Sequence, residues 1–178
     1  MSTSVAIGWD IPRVMEEMPY GMYIVGTADG QGAPNGMMAD WVMQVSFKPR
    51  LVAVSIENDA HSLANIRSNG RFTVNLLPQD EAGWKLAARF AQPYDGSKVG
   101  QRHDAEHPYH LKLEGIGYGV VDGGAPILVD ALSWLECQAH EFFSLGDHTL
   151  VIGEVLNGAV LHEGDPLTST YTGWNYSG

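Results

Sequence analysis

Twenty-one glycines and nine prolines cut this chain into short apolar runs. Residues 20–28 (YGMYIVGTA) stop at Asp29-Gly30, 37–47 (MMADWVMQVSF) at Lys48-Pro49, and 71–77 (RFTVNLL) at Pro78. LVAVSI at 51–56, the run 131–143 and the run 149–156 are bounded in the same way. Short apolar runs between turn signals are the pattern of buried strands. Helices are predicted in three places. One covers 11–18, with Pro12 in its first turn. One follows Asp59 as cap, with Leu63 and Ile66 on a shared face and Gly70 as its stop. One lies in 79–91, with Trp84, Ala87, Ala88 and Phe90 or Ala91 on its apolar side. Residues 92–112 are polar and contain three histidines, which predicts a long loop. From 113 onward the pattern is all β, with a hairpin signal at Asn157-Gly158. The expected fold is mainly β, a closed barrel with short helices packed outside it.

A chain of 178 residues suits one domain, taken as 1–178, at ~150 residues per domain. Its net charge of −11 makes it a poor nucleic-acid binder, because phosphate backbones require a basic face. An anionic ligand must instead be held locally, by helix ends and a few cations. A single cysteine, Cys137, excludes an intramolecular disulfide and fits a reducing compartment. The first residues lack the basic-then-apolar pattern of a signal peptide, and no apolar window approaches ~18 residues, so no membrane association is expected. The expected location is cytoplasmic.

Several familiar arrangements are missing. There is no P-loop and no zinc-type CxxC. GIGYGVV at 115–121 has alternating glycines but no helix after it, so it fails as a dinucleotide fingerprint. It reads instead as strand glycines that something packs against closely. His103, His107 and His110 are spaced like metal ligands, but Pro108 interrupts any helix aligning them and no metal is expected. Cys137, in SWLECQAH, has no adjacent base and reads as a buried strand residue.

Three segments do suggest a site. In NGMMADWVMQVSF, 35–47, Asn35-Gly36 reads as a turn, and Met38, Asp40, Gln44 and Ser46 fall at even spacing. A flat heteroaromatic ring needs such a surface, apolar with donors at its edge. An amphipathic strand with a solvated polar face fits equally well. In ENDAHSLANIRSNG, 57–70, Ala60, His61 and Ser62 start a helix, where amides suit a phosphate. An ordinary capped surface helix is the simpler reading of the pattern, with Arg67 about two turns in. In SLGDHTLVIGEV, 144–155, Asp147 can orient His148 at a tight turn. Plain turn chemistry explains the same residues.

In order along the chain, these segments resemble the flavin reductase family of FMN-binding split barrels. The likeness takes in 35–47, Pro49 with LVAVSI, the Ser62 and Ile66 helix, GRFTVNLL, APILVDALSWLEC, GDHTLVIGEV and the aromatic tail. It is especially similar to the C-terminal flavin reductase module of some flavodiiron proteins. The resemblance implies a six-stranded antiparallel split barrel, working as a homodimer. It implies FMN, or FAD, reduced by NAD(P)H through hydride transfer to the flavin N5. Matched positions place Asn35, Met38, Ala39, Asp40, Trp41, Gln44 and Ser46 around the ring and ribityl chain. Ser55, Ala60, His61 and Ser62 come near the phosphate, and His148 faces the nicotinamide. Two departures stand out. Asp40-Trp41 replaces small Ser or Thr residues, and Pro49-Arg50 replaces a double proline, with Arg50 a further candidate for the phosphate. The implied activity is NAD(P)H:flavin oxidoreductase, supplying reduced flavin to a monooxygenase or other acceptor. A non-enzymatic FMN electron carrier is the alternative, but it has no need of the Gly-Asp-His turn. The tail YTGWNYSG is expected to pack against the twin subunit.

Overall fold

The computed structural model describes residues 10–92 and 111–174. Nine strands are defined among them: β1 (Tyr23–Ala28), β2 (Pro34–Ala39), β3 (Val42–Phe47), β4 (Arg50–Glu57), β5 (Arg71–Leu76), β6 (Tyr118–Val120), β7 (Pro126–Leu128), β8 (Ser133–Leu145) and β9 (His148–Val160). Seven form one sheet in the order β2-β1-β5-β8-β9-β4-β3, with every pairing antiparallel. The two outermost strands, β2 and β3, are joined only by Asp40 and Trp41. Three Cα–Cα steps span at most ~11 Å. The edges must therefore meet, and the sheet curls into a barrel whose corner is Asp40-Trp41. β6 and β7 pair separately as a small ribbon.

The mainly β architecture with short flanking helices agrees with expectation; the strand count does not. Six strands were expected and seven occur in the main sheet, because the run 37–47 is broken at Asp40-Trp41. There the Val42 amide donates to the Asp40 carbonyl at 3.0 Å, a bend too tight for continuous strand. Asn35-Gly36 is not a turn but part of β2; the preceding turn is closed by Asp29, whose carboxylate accepts from Gln31 and Ala33 amides at 2.8 and 2.9 Å. Asn157-Gly158 likewise lies inside β9, opposite Glu136 and Leu135 beside a bulge, and the true hairpin turn is Gly146-Asp147, with Gly146 at φ 62°.

The helices are α1 (Ile11–Glu16), α2 (His61–Asn69), α3 (Glu81–Phe90) and α4 (Ser169–Thr172). α2 stops as predicted at left-handed Gly70, but its cap is Ala60, not Asp59. α3 is capped by Asp80, whose carboxylate accepts from the Gly83 amide at 2.8 Å. The buried face of α3 is Gly83, Leu86, Ala87 and Phe90, one step rotated from the prediction, which had placed Trp84 inward. Trp84 instead packs against Trp174 at 5.5 Å between ring centroids, the rings tilted by 58°, so this part of the tail packs in cis. The predicted loop and its three histidines, from 93 to 110, and the last four residues lie outside the described residues.

Alternation along the strands feeds two cores. Val25, Val54, Ile56, Phe72, Val74 and Val151 meet Leu63 and Ile66 of α2. Ile24, Leu77 and Leu128 meet Leu86, Ala87 and Phe90 of α3. Cys137 is buried in the first core, and burial pushes its thiol up to about 12, which keeps it a packing residue. Close packing falls on strand glycines such as Gly26 and Gly153 rather than on those at 115–119: nothing approaches Gly119, Gly117 makes only ordinary contact with Val129, and Gly115 is left-handed. A Cβ on Gly153 would lie 2.4 Å from Phe72 Cζ and 3.1 Å from Cys137 Cβ. Phe72 is fully enclosed and its ring has nowhere to go. Gly153→Ala is expected to destabilise by about 1–3 kcal/mol. Denaturant unfolding checks this, since the midpoint should fall while the slope stays constant. An unchanged midpoint would mean that the ring has room to move.

Candidate functional site

Four elements converge at the barrel corner. Register places Glu57, at the end of β4, opposite His148, at the start of β9. The Trp41 carbonyl accepts from the Ser55 amide of β4 at 3.0 Å. The Trp41 ring lies 5.0 Å from the His148 ring, tilted by 40°, and 6.4 Å from that of Tyr20. These contacts build an aromatic wall directly beside the Asp40-Trp41 bend.

His148 is held from both sides. Its Nδ1 is 2.7 Å from Asp147 Oδ1, and its side chain is only 12% exposed whereas that of Asp147 is 92% exposed. The hydrogen bond from His148 holds the Asp147 carboxyl below its ordinary value. An ionised carboxylate only accepts, so the proton of this bond sits on Nδ1, which fixes the ring's orientation. The turn is in turn clasped by Asn58. Its amide donates to the Asp147 carbonyl at 2.9 Å, its Nδ2 to the Gly146 carbonyl at 3.0 Å, and its Oδ1 accepts from Thr149 Oγ1 at 2.7 Å. Asn58 escaped the sequence reading, which took this stretch only as a helix start. The one available signal was an Asx residue between a strand and a helix.

Asp40 is 7% exposed. Burial pushes its carboxyl up to about 6, against the opposing pull of its own and the Trp41 amides and of His148. The α2 start begins two residues beyond Asn58. It carries no side-chain cap bond, although the helix runs nine residues. A helix start of this kind presents amide dipoles to an anion. Ser62 in its first turn is buried.

Of the residues singled out from sequence, the fold brings Asp40, Trp41, Ser55 and His148 together, with the α2 start of Ala60, His61 and Ser62 following the Asn58 clasp. The others are dispersed. Asn35 is at the far end of β2, ~17 Å from Asp40 along the strand, and its Oδ1 accepts from the Gly36 amide. Met38 packs on the α3-side core, and Ala39 lies in the barrel core. Gln44 is exposed and donates to the Ser46 carbonyl at 3.1 Å. A register shift between Gln44 and Ser46, together with the corner, breaks the even spacing read from sequence. The Ala33 and Gln31 amides hold the Asp29 carboxyl below its usual value, with a smaller pull from His61. Arg67 reaches Thr149 Oγ1 at 3.4 Å and lies 5.2 Å from the centre of the Phe142 ring. Arg50 opens β4 opposite Phe47, seven residues before Glu57 and so ~23 Å along the strand from the α2 start. Among the described residues, no group of three or more His, Cys, Asp or Glu side chains is placed to hold a metal, and no helix is long and apolar enough to cross a membrane.

Residues 15–176 match the flavin reductase like domain. A flavin reductase from Pseudomonas putida is 30% identical over 80% of this chain and 74% of its own length. A high molecular weight rubredoxin from Moorella thermoacetica is 31% identical over 89% of this chain, which spans 64% of that protein. The crystal structure of a homologue of nitrilotriacetate monooxygenase component B from Mycobacterium thermoresistibile superposes with a TM-score of 0.72 at 28% identity, covering 89% of this chain and 79% of the other.

The buried Asp40 carboxyl has a measurable consequence for stability. Its folded-state value of about 6 exceeds the ~3.9 of an unfolded aspartate, so the native state binds its proton more tightly. Its contribution is greatest below ~4, is lost as pH rises to about 6, and is constant above. Asp40→Asn removes the penalty and can still accept the two amide bonds. Thermal melts at about pH 8 should show Tm raised by roughly 2–6 °C, with no gain at about pH 4. An equal gain at both would mean that ionisation of Asp40 is not what destabilises.

Proposed function

Because the chain belongs to the flavin reductase like family, we propose that it transfers hydride from NAD(P)H to a flavin, FMN or FAD, held at the barrel corner. The observation that carries this reading is the Trp41–His148 wall, clasped through Asn58 to an uncapped helix start. It joins a flat aromatic face to an anion site on one rigid support, which is the donor set a flavin nucleotide requires. Bound flavin supplies the hydride acceptor.

The chain's own residues supply position. The α2 amides with Ser62 hold the phosphate, a task that a protein of net charge −11 leaves to local dipoles. Trp41, fixed by the Ser55 amide, provides apolar contact for the ring. His148, oriented by Asp147, meets the nicotinamide and sets its distance and tilt. Hydride transfer is accelerated chiefly by alignment of donor and acceptor and by exclusion of water, so no side chain needs to act as an acid or base. The oriented histidine favours a reductase over an electron carrier, which has no nicotinamide to place.

The reading extends to assembly and partners. β3 presents Met43, Val45 and Phe47 to solvent, with Phe47 81% exposed, and a second copy of the chain is the proposed cover, giving a homodimer. Likeness to a monooxygenase component supports delivery of reduced flavin to a monooxygenase. A cytoplasmic setting is consistent with the single, buried cysteine.

FMN titration followed by fluorescence should give a dissociation constant in the micromolar range or below, and absence of any response would remove the proposal. Ser62→Ala is expected to weaken FMN more than riboflavin, which lacks the phosphate; equal weakening would make Ser62 structural. His148→Ala should leave FMN affinity nearly intact while raising KM for NAD(P)H or slowing anaerobic flavin reduction several-fold to tenfold, the worth of about one neutral hydrogen bond. Loss of FMN with normal reduction kinetics would move His148 to the flavin site.

A further inference from the structure

We propose that Asp40 is a proton switch for ligand entry at the corner: the protonated carboxyl admits the flavin, the ionised carboxylate disfavours it, and binding therefore takes up one proton. This rests on the corner being the flavin site.

The position of Asp40 is set by the fold. It is one of only two residues joining β2 to β3, and its carbonyl is committed to the Val42 amide. It cannot withdraw from the corner without opening the barrel. It is also the buried carboxylate of the corner, at 7% exposed, whereas Asp147 is almost wholly in solvent. The neighbouring elements carry these titratable groups: His148 and Asp147 on the hairpin, Glu57 at the end of β4 opposite His148, Asp59 and His61 at the start of α2, and Tyr20, whose ring lies against Trp41. Of these, His148 pulls its carboxyl downward, against the larger upward push of burial. Arg67 is engaged with Thr149 and Phe142, and Arg50 stands at the opposite end of β4.

An aromatic ligand laid on Trp41 strips the remaining water from this carboxyl. A charge desolvated without a partner is far costlier than a neutral acid, so protonation accompanies burial. A phosphate at the α2 start adds negative charge nearby and works in the same direction. The neutral acid also gains an O–H with which to donate to an acceptor on the ring, whereas the carboxylate can only accept. A serine or threonine at this position would carry no charge and impose no such dependence.

The test uses the full chain with riboflavin as probe, since the FMN phosphate itself titrates near pH ~6. Riboflavin affinity, followed by fluorescence, should fall about tenfold or more between about pH 5.5 and pH 8. Calorimetry in buffers of different ionisation enthalpy should show net proton uptake on binding. Asp40→Asn should bind with little dependence on pH and without proton uptake. Asp40→Ser, which has no titratable group in this range, serves the same purpose if the asparagine variant fails to fold. Wild-type riboflavin binding that is independent of pH overturns the switch, as does a dependence seen with FMN alone or one that survives in both Asp40 variants. Absence of flavin binding at every pH is a different result: it overturns the functional reading, and the switch with it.

Discussion

Asp40 and Trp41 carry the chain from one edge of a seven-stranded sheet to the other, and the shortness of that step governs the rest of the molecule. A sheet whose outer strands are two residues apart has to close. Closure places the bend beside the end of β4 and the start of β9, so a tryptophan, a histidine and a carboxyl meet without any of them being on a long loop. Sites built on strand ends are positioned more tightly than sites on free loops. Here the bend is pinned by backbone hydrogen bonds from Val42 and Ser55.

The second fixed point is Asn58. It binds the hairpin turn through its amide, its Nδ2 and, by way of Thr149, its Oδ1, so the loop that leads into α2 and the turn that carries His148 move as one unit. The distance between the helix start and the aromatic wall is therefore a property of the scaffold. For a reaction that depends on alignment rather than acid–base catalysis, this is the property that matters most.

Much of the fold could be read from the sequence because its signals are local. Proline, glycine and apolar runs mark strands and turns, and Gly70 stops α2 in the left-handed conformation that it was expected to adopt. The errors arise where tertiary closure overrides local pattern. The 37–47 run looks like one strand until the barrel has to turn at Asp40-Trp41. Asn157-Gly158 has hairpin composition, but it is paired along its length inside β9. α3 buries Gly83 rather than Trp84, because Gly83 alone tolerates the Pro78 carbonyl, which would lie 1.9 Å from a Cβ. Site legibility divides similarly. Asp147 with His148 shows itself as a motif, and the resemblance pointed to Trp41 and Ser62. The even spacing of Met38, Asp40, Gln44 and Ser46 promised a shared face that the corner and the register shift in β3 abolish. Asn58 shows only as an Asx residue between a strand and a helix, and its clasp is not legible there, since its partners are 88 and 91 residues away.

The central claim is that a flavin occupies the corner defined by Trp41, His148 and the α2 start. Nuclear magnetic resonance of the isotopically labelled chain during FMN titration addresses it directly, through residue-resolved shifts. The account predicts that the Trp41 indole, the His148 ring and the Ser62 amide shift together with a single dissociation constant, while the Arg50 end of β4 stays still. Shifts concentrated at Asn35, Gln44 and Ser46, with Trp41 and His148 unmoved, would contradict it.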